Sequence, residues 1–305
     1  MKTLSLPTVR AALLALAAAL PVAAHADLKI FACEPEWGAL AKEIGGSHVN
    51  VYTATTAMQD PHRIEARPSL IARARSADLL ACTGAELEVG WLPVILAQSG
   101  NAAIQAGQPG QFFAAPHVTM LEKPAALDRS AGDVHADGNP HIQTDPHNIA
   151  RVGEALAARM ATLDPAEAAG YRARWADFSA RWNAAVARWE KEAAPLRGVP
   201  VVVQHKAFPY LQNWLGLKEV AVLEPKPGVE PSLASLAAVK AKLAATPAKL
   251  VLRAAYQPAR PSEWIASQAG LKAVALPFTV GGDAQSGDLF GLFDSTVSKL
   301  LAGLN

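Results

Sequence analysis

Residues 164–194 limit how this chain can fold more than any other segment. The run opens with Asp164-Pro165, holds no further proline until Pro195, and carries Tyr171, Trp175, Phe178, Trp182, Val186 and Trp189 at steps of three or four. Asp-Pro is a helix-start signal and a later proline is a stop. The spacing draws one apolar stripe along a helix of about 30 residues, roughly 45 Å long at 1.5 Å per residue. So many aromatic rings on one face call for structure to bury them, so the expected arrangement is a stiff rod packed along its neighbours.

What flanks the rod follows one grammar. Short apolar, β-branched runs at 28–32, 49–55 and 77–81 alternate with helical stretches at 37–44 and 69–75; after the rod come further runs at 199–203, 219–223, 249–254 and 272–276. Such alternation implies parallel strands joined by crossover helices. With 305 residues, 51% of them hydrophobic and 18% charged, the chain has material for about two domains and is excluded from the disordered and collagen-like classes. The expected division is an N-terminal α/β lobe over 27–163, a connecting helix over 164–195 and a C-terminal α/β lobe over 196–305.

The first 26 residues read as a signal peptide. Lys2 and Arg10 precede or open an apolar run over 11–20, and Ala24-His25-Ala26 places small residues before a cleavage point. Pro21 and Asp27 argue against a membrane anchor, and the absence of a cysteine at the cleavage point argues against lipid attachment. The expectation is a soluble periplasmic protein. Without Lys2 and Arg10 the chain keeps 26 basic side chains against 27 acidic ones, so no polybasic surface suggests nucleic acid or anionic lipid. In an oxidising compartment Cys33 and Cys82, each at the end of a candidate strand, are expected to pair as a disulfide. Two small buried apolar residues, or a metal-binding thiolate pair, are the alternatives.

Three histidines occupy comparable places in the pattern: His62 in Gln59-Asp60-Pro61-His62, His141 in Gly138-Asn139-Pro140-His141, and His205 directly after Val201-Val202-Val203-Gln204. Ligands of open α/β sheets bind at the carboxyl ends of strands. Three neutral imidazoles meeting there suit Zn²⁺, with a carboxylate or water completing a tetrahedron. A histidine beside a proline is, by itself, more often an ordinary loop residue.

The surrounding residues add to this. Asp60-Pro61-His62-Arg63-Ile64-Glu65-Ala66-Arg67-Pro68-Ser69, then Ala77-Asp78-Leu79 and Gly84-Ala85-Glu86-Leu87-Glu88, then Asn139-Pro140-His141-Ile142-Gln143-Thr144-Asp145-Pro146 and His205-Lys206-Ala207-Phe208-Pro209-Tyr210, closely resemble ordered motifs of one family. It is the zinc/manganese-specific, ZnuA/TroA-like (cluster A-I) solute-binding proteins of ABC importers. The resemblance spans essentially the whole mature chain. It implies two lobes, each with a mainly parallel four-stranded sheet flanked by helices, joined by one long helix. It also implies His62, His141 and His205 as metal ligands, with Zn²⁺ as cargo, and an ABC permease with its ATPase subunit as partners of a monomeric binding protein.

The fourth ligand departs from the family pattern. No acid directly follows Leu276, and Asp283 on a Gly-Gly loop is the nearest downstream carboxylate; water or Glu224 are the alternatives. The stretch 251–255 holds no acid where manganese-type members carry one, which favours zinc over Mn²⁺. Glu65 and Asp145 match family acids and are candidates to orient a ligand imidazole, with helix capping the competing role for Asp145; Glu88 also matches. The loop over 126–138, with Asp128, Asp133, His135 and Asp137, reads as a reduced metal-collecting loop or a solvated one. His117 and His147 are weaker candidates, and His48 is expected at the surface. A zinc hydrolase and a metal-binding adhesin or sequestering protein are the other functional readings. No H-E-x-x-H occurs, and the chain lacks G-x-x-x-x-G-K-[ST], so any ATPase must be a separate subunit.

Overall fold

The structure, a computed structural model, describes residues 26–125, 132 and 134–305; the signal segment up to His25, together with Asp128 and Asp133, lies outside them. Five of its helices begin with proline at the first or second position, where a missing N–H costs nothing. The first half runs β1 (Leu28–Ala32), α1 (Pro35–Gly45), β2 (Val49–Thr53), α2 (Pro68–Arg75), β3 (Leu79–Cys82), α3 (Leu92–Ser99), β4 (Gln111–Phe113) and α4 (Pro146–Leu163). After α5 (Ala168–Glu192) come β5 (Pro200–Val203), α6 (Pro209–Leu215), β6 (Lys218–Val222), α7 (Leu233–Ala245), β7 (Leu250–Ala254), α8 (Ala259–Ala269), β8 (Lys272–Leu276) and α9 (Leu289–Leu304). Each half builds a parallel four-stranded sheet, in the order β2-β1-β3-β4 and β6-β5-β7-β8. The two-lobe α/β architecture is therefore as the sequence implies.

One side of each sheet faces its own small core, under α2 and α3 in one lobe and under α7 and α8 in the other. The opposite sides share a single continuous core with α1, α4, α5 and α9. Its centre is Trp182, fully buried. The indole stacks on Phe178 and meets Trp189, Phe290 and Phe293 edge-on at 5.0–5.5 Å, and its Nε1 donates to Pro146 O at 2.9 Å. Trp189 Nε1 donates to Asp294 of α9 at 2.6 Å. One helix thus grips α4 on one side and α9 on the other. It is shorter than the spacing suggests: Asp164 does not cap it. The Asp164 carboxylate accepts from Tyr171 Oη and from Glu167 N, closing a turn between α4 and α5.

The Cys33–Cys82 disulfide is formed at the C-terminal ends of β1 and β3, across 4.8 Å between Cα atoms. That rules out the thiolate-pair alternative. Beside it three carboxyl groups are buried. Glu34 accepts from Thr83, Glu88 from the Thr83 and Gly84 amides, and Glu36 from Thr279 Oγ1 of the segment beyond β8. Glu36 therefore spans the two lobes. Burial raises all three carboxyl pKa values, those of Glu36 and Glu88 to about 7 and that of Glu34 well above its ordinary range.

A folded-state pKa above the unfolded one means the native protein holds more protons, so the contribution of these protonated groups to stability is complete below about pH 4.5 and is lost as pH rises through 7. Glu36→Gln keeps an acceptor for Thr279 and removes the charge. The metal-free variant should melt above wild type by roughly 5 °C at pH 8, about 2 kcal/mol, with the gap closing towards pH 4.5. Equal offsets at both pH values, measured by thermal circular dichroism, would refute a charge origin.

Candidate metal centre

His62 stands in the loop after β2, held because Trp91 Nε1 donates to Pro61 O at 2.9 Å. Asp60 Oδ1 accepts from both the backbone N and the Nδ1 of His62, at 3.1 and 2.8 Å. A carboxylate accepts only, so the proton sits on Nδ1 and the lone pair on Nε2. Burial raises the Asp60 pKa, and the bonds and charge interaction with His62 outweigh it, leaving the carboxyl below its usual range. His205 follows β5 and repeats the device. Its Nδ1 lies 2.7 Å from Glu224 Oε2, which also accepts from Gly228 N. Glu224 comes just after β6, the strand paired to β5.

His141 ends an Asn-Pro-His turn in which Asn139 Oδ1 accepts from the His141 amide. Asn139 fixes that turn to the other lobe: its Nδ2 donates to Lys206 O, and its carbonyl accepts from Tyr210 Oη of α6 at 2.7 Å. The His141 ring is 1% exposed and packs edge-on against Phe278 at 5.1 Å. Burial, then the neighbouring His62, His205 and His135, push its pKa well below 6.5, so at neutral pH it is uncharged.

The three rings converge, with centroids 5.2, 5.5 and 6.0 Å apart, and one ligand nitrogen from each lies within 4.8 Å of the others. His141 Nε2 and His205 Nε2 are 3.4 Å apart. Two nitrogens each about 2.0–2.1 Å from a tetrahedral zinc stand about 3.3–3.4 Å apart, so this spacing suits a shared ion. His62 Nε2 and His141 Nδ1 are buried without a hydrogen-bond partner, a cost that a bound cation removes at His62.

Other candidates stand elsewhere. Asp283 stands apart from the imidazoles: Gly281, at φ +88°, turns the chain back. The Asp283 carboxylate accepts from the Gln285 and Ser286 amides, from Ser295 Oγ at 2.6 Å and from Lys299 at 3.3 Å. Burial raises its pKa, and the Ser295 and Ser286 hydrogen bonds outweigh that and lower it. It closes a turn against α9 and is not among the groups that converge with the imidazoles. Glu65 is exposed, and Asp145 caps α4 while accepting from His147; neither touches a converging imidazole. The orienting acids are instead Asp60 and Glu224. The first was signalled by its place two residues before His62, the second by following the strand that neighbours β5. Glu88 belongs to the buried acid group. His117 stacks on Phe112, and His48 pairs with Glu167. His135 lies 5.3 Å from the His62 ring, so the described end of the 126–138 loop reaches the site.

Two parallel α/β lobes, a single connecting helix and imidazoles contributed from both halves define a metal-binding solute-binding protein. Residues 30–303 match the family described as zinc-uptake complex component A, periplasmic, and the chain belongs to that family. A crystal structure of ZnuA superposes with a TM-score of 0.74 at 21% identity, covering 92% of this chain and all of the other. The solute-binding protein FpvC of Pseudomonas aeruginosa, solved with Mn²⁺, gives 0.75 at 23% identity over 91% and 98% of the two chains. In sequence, the zinc-binding lipoprotein AdcA of Streptococcus pneumoniae is 23% identical over 64% of this chain, an alignment that spans 39% of that relative's length. Among the described residues no helix is long and apolar enough to cross a membrane.

Proposed function

We propose that this chain captures Zn²⁺ in the periplasm, between its two lobes, and as a monomer delivers it to an ABC permease driven by a separate ATPase subunit. The observation that carries the reading is the convergence of His62, His141 and His205, with Asp60 and Glu224 fixing two of the tautomers. Nitrogen donors without a converging carboxylate favour zinc over the oxygen-preferring Mn²⁺. Membership of a zinc-uptake family, and relatives described as zinc-binding or solved with Mn²⁺, support a metal cargo. Release follows from the same geometry. His62 precedes the connecting helix and His205 follows it, so a small separation of the lobes removes one nitrogen from the ion. A zinc hydrolase would need a base aimed at metal-bound water, whereas Asp60 and Glu224 are each engaged by an imidazole Nδ1.

Metal-free protein titrated calorimetrically should bind one Zn²⁺, more tightly than Mn²⁺, and should not hydrolyse activated esters. Asp60→Ala and Glu224→Ala leave the ligands in place and free their tautomers, so each should weaken zinc about 10–100-fold. Wild-type affinity in both would remove them from the site; ester turnover that scales with bound zinc would favour the hydrolase.

A further inference from the structure

An ion alone does not account for the space beside the imidazoles. A cavity of about 600 Å³ adjoins His62 and His205 and is lined further by Gln204, Tyr256, Arg260 and Trp264. That volume lies in the range of small-molecule sites, roughly 300–1,000 Å³. Three imidazoles leave at least one zinc position open, and zinc accepts a fourth and at times a fifth donor.

The lining specifies what the cavity would take. Gln204 is 3% exposed; its Nε2 donates to Pro258 O at 3.0 Å, which fixes the amide orientation, and its Oε1 is buried with no partner. Satisfying that oxygen takes an N–H or O–H donor and a small shift of the groups that cover it. Arg260 stands in the first turn of α8, where a guanidinium and the helix N-terminus both favour an anion. Asp60, Glu224 and Glu230 against Arg63 and Arg260 leave the lining one negative charge in excess. A divalent ion reverses this to one positive, which a monoanion neutralises.

Resting on the zinc reading above, we propose that the cargo binds as a mixed complex. Zinc is held by the three imidazoles and by one small monoanionic aminocarboxylate, whose carboxylate turns to Arg260 and whose metal-bound amine donates an N–H to Gln204 Oε1. Trp264 and Tyr256 flank its side chain.

The test is non-denaturing mass spectrometry and calorimetry on the metal-free protein with Zn²⁺ alone, Zn²⁺ with L-histidine, and Zn²⁺ with citrate. With L-histidine the expected species is protein plus one zinc plus one histidine, and zinc should be held at least tenfold more tightly than alone, after correction for zinc–histidine complexes in solution. Arg260→Ala and Trp264→Ala should lose the histidine and with it the tenfold gain, while their affinity for zinc alone stays that of the wild type. Zinc-only masses in every arm would overturn the mixed complex and leave the metal reading standing. A citrate adduct in place of the histidine adduct would overturn the monoanion assignment. Histidine retained undiminished by both variants would overturn its placement, and no zinc uptake in any arm would overturn the proposed function itself.

Discussion

His141→Ala should lower zinc affinity by at least two to three orders of magnitude, the largest functional effect of any single substitution in this chain. The residue is the most enclosed of the three imidazoles, and its ring is held between Phe278 and the other two histidines. Removing it leaves two nitrogens: Asp60 and Glu224 would have to release His62 and His205 to enter the gap, and His135, beside His62, would have to shift from its place in the loop. Zinc present at about a thousand times the wild-type Kd stabilises the folded protein by about 4 kcal/mol. A melt with and without the metal therefore reads the same loss. The wild type should gain on the order of 10 °C and the variant almost nothing. His205→Ala provides the check should His141→Ala fold poorly, since His205 lies on the other lobe. Wild-type metal-dependent stabilisation in both variants would place the cargo elsewhere.

The histidines were legible in the sequence only through their neighbours. Each stands beside a proline or a strand end, and a single imidazole there has ordinary explanations; the ordered motifs around all three made the set readable. The strands were legible because they are buried runs such as Val201-Val202-Val203. β4 was not, since three residues between turns carry no periodicity. The long helix showed its stripe but not its start, because the Asp164 carboxylate bonds Tyr171 and the Glu167 amide and so closes a separate turn ahead of Ala168.

Asp283 shows a different limit. A Gly-Gly loop has the freedom to bring a carboxylate into the cleft, but conformational freedom does not determine direction. Ser295 and Lys299 on α9 offer that carboxylate closer partners, and they lie more than ten residues further along the chain. Asp60 and Glu224 were in view yet assigned no orienting role, because a partner on the far nitrogen of an imidazole is visible only once the ring is placed. The cavity lined by Gln204 and Arg260 is likewise a property of loops from two lobes, without a local motif.

Removing the disulfide should be the costliest change to stability. Cys33 and Cys82 close a loop with a sequence separation of 49, for which the chain-entropy relation gives about 4 kcal/mol at 25 °C. The double variant Cys33→Ala/Cys82→Ala should therefore melt about 10 °C below wild type without metal. The bond also ties the ends of β1 and β3 where Glu34 and Glu88 are buried without a cation among their hydrogen-bond partners, so the two penalties share one place. At pH 8, with those carboxyl groups driven towards ionisation, the loss should exceed that at pH 4.5. His62 is held by its own bonds through Asp60 and Trp91, so zinc affinity measured at 10 °C should stay within about threefold of wild type. A melting point unchanged by the double substitution would show that the bridge constrains little beyond what the parallel β1–β3 pairing already fixes.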